Sequence, residues 1–303
     1  MVPTRGSSQL TPPLQAGDAV AVVAASSAID DASRLQEGLE LLSSWGLQPL
    51  PWDASKRRWG YLAGTDDQRR TDLNPSPTAP LLACARGGWG AARLLEEPIR
   101  WQPGWLLGFS DVTALLWARL AAGIDGGIHG PLLTTLAGEP LWSQQRLQDL
   151  LFGRALPDLR GETWSAASVG TGAVRGPLVA ANLTVATHLL GSPHVPALQG
   201  AILVLEDVAE APYRLDRMLT QWRLLGLLQK LGGLCFGRFS DCNDQDPERG
   251  GFSLEQVLRE RCSDLGIPVL SGLPVGHGPG GNAALPMGRL AELDPAQGCL
   301  RLL

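Results

Sequence analysis

Three short apolar runs in the first half of the chain each lead into a glycine- or serine-bearing turn and then a stretch with helical spacing. The runs are AVAVVAA at 19–25, PLLACA at 80–85 and WLLGF at 105–109. Strands that alternate with helices in this way favour a mostly parallel sheet, because each helix returns the chain to the edge where the next strand begins. The sequence therefore predicts an α/β domain at the N-terminal end.

The helical stretches carry their own boundary signals. Thr65 lies three residues before Gln68, which is the capping-box pattern for a helix start, and Gly46 supplies a stop after a run of apolar residues at helical spacing. Helices are predicted over 30–46, 65–75, 90–97 and 111–123.

The pattern changes in the second half. Residues 154–172 lose periodicity and gather Pro, Gly, Ser and Thr, which indicates a linker. Beyond it, a buried strand at 200–207 and a helix that starts at Pro212 precede short strand candidates at 233–241, 268–276 and 298–303. We predict an N-terminal domain at 1–153, a linker at 154–172 and a smaller mixed domain at 173–303.

Composition limits the function. The 303 residues have a formal net charge of −5, which argues against a nucleic-acid partner and favours a small soluble substrate. The five cysteines form no CxxC pair, so neither a disulfide framework nor a metal site is indicated. The apolar run at 19–25 lacks a basic flank and is shorter than the ~18 residues of a membrane span. We interpret it as a buried strand of a cytoplasmic protein that has no membrane partner.

Ser110 lies where a ligand is expected in such a fold. It follows the strand at 105–109, and open α/β sheets bind ligands beyond the carboxyl ends of their strands. A serine on a tight strand-to-helix turn projects its hydroxyl from the sheet and leaves the amide of Asp111 free for an oxyanion. Alternatively, Ser110 only caps the helix. The motif also departs from G-x-S-x-G, since Val112 replaces its second glycine.

The chain contains four histidines that could serve such a serine as a base. His277 lies in a loop rich in glycine and proline, LPVGHGPGGNAALPMG, and irregular loops of this kind often position functional groups. His188 and His194 fit a helix and an ordinary loop. His129 follows a short strand and is a candidate either for lining the cleft or for a structural hydrogen bond. His277 is therefore the predicted base.

A carboxylate that orients this base is expected at the end of the strand at 200–207. Glu206 is the candidate, whereas Asp207 and Glu210 fit helix capping or ion pairs with Arg214 or Arg217. The order Ser, Glu, His matches that of α/β hydrolases, although three residues in order are weak evidence.

The segment ARGGWG at 85–90 offers further site residues. The amides of Gly87 and Gly88 can approach a ligand without an intervening side chain, which suits an oxyanion hole. Arg86 is a candidate for binding a substrate carboxylate, or alternatively pairs with a structural acid. A dinucleotide fingerprint is the competing interpretation, but Arg93 breaks its last glycine position.

Several segments together resemble the LD-carboxypeptidase family of serine peptidases, which includes muropeptide-trimming enzymes and microcin C self-immunity peptidases. They occur in the family's order over nearly the whole chain. They include AGDAVAVVAASS, ARGGWGAARLL, GFSDVTALLWA, GAILVLEDVAEAPYRLDRML and LPVGHGPGGNAALPMG.

The resemblance implies a flavodoxin-like N-terminal domain similar to class I glutamine amidotransferases, a smaller β-rich C-terminal domain, a cleft between them and a homodimer. It also implies Ser110 as nucleophile, Glu206 as orienting acid and His277 as base. The oxyanion amides would come from Asp111 and the Gly87–Gly88 turn.

The chain departs from the family's pattern at two places. Ala25 stands where a proline is common, and Ala180 and Ala181 stand where glycines are common. The second departure bears on substrate contacts near Asn182, which is a predicted substrate-binding residue together with Arg86 and His129.

The expected function is that of a serine carboxypeptidase without a metal or cofactor. It would cleave the amide between an L-centre and a terminal D-amino acid, namely the D-alanine of a murein tetrapeptide. A microcin-type immunity peptidase that cleaves peptidyl or aminoacyl nucleotides is one alternative. A catalytically silent ligand-binding module is another.

Overall fold

The computed structural model describes residues 10–164, 172–243 and 251–303. The N-terminal unit is built on a six-stranded sheet in the order β12-β5-β4-β3-β1-β2, in which β1 to β5 are parallel. The predicted parallel α/β arrangement is therefore confirmed. The strands are β1 Ala19–Val23, β2 Gln48–Pro49, β3 Leu81–Cys84, β4 Trp105–Gly108, β5 Gly127–His129 and β12 Leu285–Pro286.

Helices cover this sheet, and the one that follows Thr65 begins as the sequence predicts. Asp31 caps the first helix by accepting from the backbone N–H of Ser33, and Thr65 and Gln68 form the predicted capping box of the second. The helices are α1 Ala32–Ser44, α2 Asp66–Thr71, α3 Thr113–Ala121, α4 Leu133–Leu136 and α5 Leu141–Leu151.

The α-helix predicted over 90–97 is wrong. The segment Ala91–Glu96 forms a 3₁₀ helix instead. Gly90 precedes it with a φ of 122°, and Pro98 disfavours the helical conformation of Glu97, so the segment is bounded closely on both sides. A single 3₁₀ turn, Ser110–Val112, likewise precedes α3. Two further 3₁₀ turns cover Ala54–Lys56 and Leu228–Lys230.

The C-terminal unit contains an eight-stranded sheet in the order β6-β14-β13-β8-β9-β10-β11-β7. Its four strands β8 to β11 are parallel, and antiparallel strands flank them on both sides. The strands are β6 Leu159–Arg160, β7 Glu162–Thr163, β8 Val174–Asn182, β9 Ile202–Val208, β10 Gly233–Ser240, β11 Val269–Ser271, β13 Leu290–Asp294 and β14 Cys299–Leu302. The helices are α6 Leu183–Leu189, α7 Pro212–Leu224 and α8 Leu254–Cys262.

The chain passes between the two sheets three times, after β5, after β11 and after β12. Strands β6 and β7 lie within the predicted linker 154–172 but belong to opposite edges of the C-terminal sheet, while 165–171 lie outside the described residues. Strand β12, far along the chain, pairs antiparallel with β5 in the N-terminal sheet. The boundaries at 153 and 173 stay predictions.

Helix α3 joins the two units. The buried ring of Trp117 packs edge-on against Trp222 of α7 at a centroid distance of 6.0 Å, and its Nε1 donates to the carbonyl of Ala180 at 3.0 Å. Thr113 Oγ1 accepts from the backbone N–H of Asn182 at 3.1 Å. These contacts hold the start of α3, and with it Ser110, against strand β8. Within the described part of the chain, no helix is long and apolar enough to cross a membrane.

Candidate active site

Ser110 lies on a sharp turn between β4 and α3. Its φ of 61° is in the left-handed region, which residues other than glycine rarely adopt. Such a conformation costs about 1–3 kcal/mol and typically occurs at functional sites. The helix-cap alternative is wrong, because Phe109 occupies the N-cap position and no side chain caps the turn.

The side chain of Ser110 meets a histidine from the C-terminal unit. Its Oγ lies 3.1 Å from Nε2 of His277, and Nδ1 of that ring lies 2.7 Å from Oε2 of Glu206. A carboxylate can only accept, so Nδ1 carries the proton and Nε2 is left to accept from the serine hydroxyl. The structure therefore brings the three predicted residues together in one hydrogen-bonded chain.

The backbone around His277 fits closely against Glu206, whose side chain is buried. Gly276 has a φ of 102°, and a Cβ there would lie 2.6 Å from Cβ of Glu206. The backbone N–H of His277 also lies 3.3 Å from Oε2 of Glu206. Glycine before His277 is thus required for both the turn and the close approach.

Three residues that the sequence analysis missed hold this loop in place. Asn282 accepts from the N–H of Gly276 at 2.8 Å and donates its own N–H to Oε2 of Glu139 at 2.7 Å. Ser240 Oγ donates to the carbonyl of His277 at 2.7 Å. Glu139 precedes α5 and Ser240 ends β10, so the loop is tied to both units. Of these three residues, only Asn282 lies in a segment that the sequence marks as functional, namely the glycine-rich loop around His277.

The environment of His277 determines its protonation. Burial lowers the pKa of the imidazole, but the hydrogen bond and the negative charge of Glu206 outweigh burial, so the pKa lies above the ordinary 6.5. The ring also packs against Phe109 at a centroid distance of 4.7 Å.

This raised pKa predicts where activity falls in acid. As pH decreases through the pKa of His277, the ring becomes protonated and can no longer accept the proton of Ser110. The acid limb of kcat/KM should therefore have its midpoint above pH 6.5. A pH series of kcat/KM, with circular dichroism to verify folding at each pH, measures this midpoint. A midpoint below 6.5 would contradict the assigned environment.

The glycine turn lies directly against Ser110. A Cβ on Gly87 would be 2.9 Å from both Cβ and Oγ of Ser110 and 3.6 Å from the backbone N of Asp111. Gly87, Gly88, Ser110 and His277 line one cavity of about 340 Å³. The glycine turn that is predicted to supply oxyanion amides is thus adjacent to the predicted nucleophile, Ser110.

Gly87→Ala should lower kcat by at least about 100-fold, because the added methyl would occupy the space beside Oγ and displace an oxyanion donor. Gly138→Ala is the matched control, since its Cβ would lie 3.5 Å from the carbonyl O of Thr135, an ordinary contact. Steady-state kinetics and thermal melts of both variants test this. An active Gly87→Ala enzyme would place the oxyanion hole elsewhere.

Asp207, next to Glu206, faces away from the cavity. It accepts from Nδ2 of Asn182 at 3.1 Å and from the N–H and Oγ1 of Thr184 at 2.9 and 2.8 Å. Burial raises the pKa of this carboxyl to about 6. Asp207 therefore supports the start of α6, while Glu210 makes a 3.5 Å ion pair with Arg214.

The three predicted substrate contacts differ in placement. Arg86 lines the cavity, but its Nη1 donates to the carbonyl of Ala28 at 2.8 Å and pairs with Asp30. Asn182 is buried and caps α6 by accepting from Val185 at 3.0 Å.

His129 is fully buried behind Phe109, with the ring centroids 5.8 Å apart. Burial lowers its pKa to about 4, so the ring is neutral. Of the predicted substrate contacts, only Arg86 lines the cavity, and direct contacts by Asn182 and His129 stay predictions.

The described residues 10–164, 172–243 and 251–303 contain no group of three or more His, Cys, Asp or Glu side chains arranged to hold a metal ion.

A parallel α/β unit that carries a serine on a strained turn, facing a histidine and a buried glutamate, defines a serine-type hydrolase. Comparison with known families gives the same class. Residues 20–130 match the LD-carboxypeptidase N-terminal domain and residues 175–293 match the C-terminal domain. The chain belongs to the LD-carboxypeptidase family and is a serine-type carboxypeptidase.

Individual relatives cover nearly the whole chain. A candidate carboxypeptidase of Synechocystis sp. is 47% identical over 96% of both chains. The murein tetrapeptide carboxypeptidase of Pseudomonas aeruginosa is 35% identical, over 91% of this chain and 92% of the relative. The crystal structure of muramoyltetrapeptide carboxypeptidase from Oxalobacter formigenes is 28% identical with a TM-score of 0.77, over 94% of this chain and 97% of the other.

A more distant similarity links the chain to the microcin C7 self-immunity protein MccF of Escherichia coli, which is 25% identical over 88% of each chain. The predicted α/β architecture with two domains, and the family resemblance on which it depended, are both confirmed.

Proposed function

We propose that the protein removes the terminal D-alanine from murein tetrapeptides. The observation that carries the proposal is the hydrogen-bonded chain from Ser110 through His277 to Glu206 beside a glycine turn. The similarity to murein tetrapeptide carboxypeptidases supports this choice of substrate.

The geometry supports a two-step acyl transfer. Oγ of Ser110 attacks the carbonyl carbon of the L,D-amide while Nε2 of His277 takes the hydroxyl proton. The backbone amides of Asp111 and the Gly87–Gly88 turn would stabilise the negative oxygen of the tetrahedral intermediate. His277 then gives its proton to the departing amine, which leaves as the D-amino acid. His277 next takes a proton from a water molecule as this water attacks the ester carbon, and it returns that proton to Oγ as the bond between Oγ and the carbonyl carbon breaks. Glu206 keeps the imidazole oriented and stabilises its charged form.

One experiment compares the two candidate substrates. The purified protein is incubated with a murein tetrapeptide and, separately, with an aminoacyl-sulfamoyl adenosine, and the products are identified by mass. Release of D-alanine from the tetrapeptide is expected. Cleavage of the nucleotide alone would favour the immunity-peptidase alternative, which the similarity to MccF supports. Binding without cleavage of either compound would indicate a catalytically silent binding module.

The proposal includes a cytoplasmic location, which rests on the cysteine composition and the short apolar run at 19–25, and a homodimer, which rests on the family resemblance. Sedimentation analysis tests the second part, for which the expected mass is twice that of the chain. A mass of one chain at the concentration used for kinetics would contradict it.

Arg86 is the proposed contact for the terminal carboxylate of the substrate, since a guanidinium binds a carboxylate through two parallel hydrogen bonds. Arg86→Lys should reduce activity on the free-acid tetrapeptide by about tenfold or more and leave the poor C-terminal amide analogue unchanged. Arg58→Lys is the matched control, because Arg58 pairs with the same Asp30 at 2.8 Å. Equal losses on the acid and the amide would assign Arg86 a structural role and direct the search to Arg214 or Arg217.

A further inference from the structure

A single peptide group in the glycine turn is held at both of its polar ends. The carbonyl of Gly90 accepts from Nη1 of Arg69 at 2.8 Å, and the N–H of Ala91 donates to Oδ2 of Asp111 at 2.8 Å. Both contacts involve the Gly90–Ala91 peptide. Its carbonyl oxygen, which carries the partial negative charge, faces the guanidinium of Arg69, and its N–H, which carries the partial positive charge, faces the carboxyl group of Asp111. Charge-assisted hydrogen bonds of this kind are about twice as strong as neutral ones.

Arg69 is fully buried although it carries a charge. Its Nη1 also donates to the carbonyl of Ala25, just beyond β1, and its Nη2 pairs with Asp66. Asp66 pairs in turn with Arg93 at 2.6 Å. Burying a guanidinium is unfavourable unless its donors are paired. These contacts pair Nη1 and Nη2 of Arg69, whereas its Nε has no hydrogen-bond partner among the described residues. Arg69 thereby connects α2, the end of β1 and the glycine turn.

The contacts of Asp111 extend this connection to Ser110. Asp111 follows Ser110 directly, its side chain is buried, and its backbone N is one of the proposed oxyanion donors. On the other side, Ser27 Oγ accepts from the N–H of Trp89 at 3.0 Å, so the turn is held at successive positions. Fixing the Gly90–Ala91 peptide therefore fixes the distance between the amide of Asp111 and the Gly87–Gly88 turn.

We infer that Arg69 is a positioning residue for the oxyanion hole, acting with Asp111 on the Gly90–Ala91 peptide. The inference rests on the function proposed above. Arg69 touches neither Ser110 nor the cavity wall, so its effect is on where the donors lie. Displacement of catalytic groups by about 1 Å can lower a rate by about 100-fold, and removal of one oxyanion donor costs about 100- to 1000-fold.

The test compares Arg69→Gln with Arg93→Gln. Both variants remove one cation from Asp66, but the Arg93 side chain makes no contact with the Gly90–Ala91 peptide within the described residues. We expect Arg69→Gln to lower kcat about 10- to 100-fold with KM nearly unchanged, and Arg93→Gln to stay within about threefold of the parent. Arg69→Lys, which keeps the charge, should recover part of the loss.

A second readout separates donor placement from general damage. A fluorophosphonate probe forms a tetrahedral adduct on Ser110 and needs the same oxyanion donors, so its labelling rate should fall with kcat. The affinity of tetrapeptide for the Ser110→Ala and Ser110→Ala/Arg69→Gln proteins should be equal. A parent-like kcat and labelling rate in folded Arg69→Gln would overturn the inference, as would equal losses in kcat and in tetrapeptide affinity.

Folding and the proposed function are controlled separately. If Arg69→Gln does not fold, Asp66→Asn leaves the arginine in place and weakens its support, and kcat and the labelling rate should still fall together. Unchanged values in that variant would overturn the inference. If the parent is labelled but does not cleave the tetrapeptide, the proposed substrate fails while the labelling rates still test Arg69.

Discussion

Ser110→Ala and His277→Ala should each lower kcat for tetrapeptide hydrolysis by about 10⁴- to 10⁶-fold, and the double variant should be no worse than either single one. Neither residue can act without the other, because Oγ of Ser110 loses its proton to Nε2 of His277 across their 3.1 Å contact. A residual rate of about 10³ to 10⁴ over water is still expected from the oxyanion amides and binding.

The controls for this pair are thermal melts and substrate affinity. Ser110→Ala should unfold at about the temperature of the parent, since it removes only one hydroxyl. His277→Ala should stay folded but unfold at a lower temperature, because it leaves the buried carboxylate of Glu206 without its imidazole partner. Single-turnover kinetics with the tetrapeptide gives the rate. A Ser110→Ala enzyme that retained more than about a hundredth of the parent rate would show that another group attacks the amide.

Glu206→Gln should lower kcat by about 10³- to 10⁴-fold. The amide keeps the shape of the side chain but loses the charge that stabilises the imidazolium, and its NH₂ group can face Nδ1 and impose the wrong tautomer. The acid limb of kcat/KM should also move to lower pH, because the carboxylate is what raises the pKa of His277 against burial.

Asp207→Asn is the matched control on the neighbouring residue. Asp207 accepts from Asn182 and Thr184, and an amide offers one oxygen where the carboxylate offered two. Removal of a buried charge partly offsets this loss, so the free energy of unfolding should fall by about 1–2 kcal/mol with kcat nearly unchanged. Urea melts and steady-state kinetics measure the two effects. The reverse outcome, an inactive Asp207→Asn beside an active Glu206→Gln, would move the orienting acid by one position.

Much of the fold and the three central residues of the site could be predicted because their signals are local. The apolar runs before Ser110 and Glu206 follow from burial on both faces of a parallel sheet, and the loop around His277 is marked by its glycines. The roles of these residues follow from the family resemblance, because their order along the chain is weak evidence by itself.

The features that the sequence predicted wrongly or missed have a common physical cause. Each of them depends on contacts between segments that lie far apart along the chain. The 3₁₀ helix at Ala91–Glu96 contains good helix formers, yet the carbonyl of Gly90, its first acceptor, is also bound by Arg69 of α2. Strands β6 and β7 contain two residues each and exist only through pairing with strands more than a hundred residues later. The support of the His277 loop by Glu139 likewise depends on tertiary contact.

Strand β12 has a consequence for the folding of the whole molecule. The loop that carries His277 leaves the C-terminal sheet after β11 and enters the N-terminal sheet at β12, beside β5. A truncation at residue 153 would remove β12 and leave β5 without a partner on that side. It would also leave the loop that carries His277 unattached at one end. Loss of order in one unit therefore removes an edge strand from the other, and the two should melt together in one cooperative transition. The catalytic groups would thus be assembled only in molecules whose folding is complete.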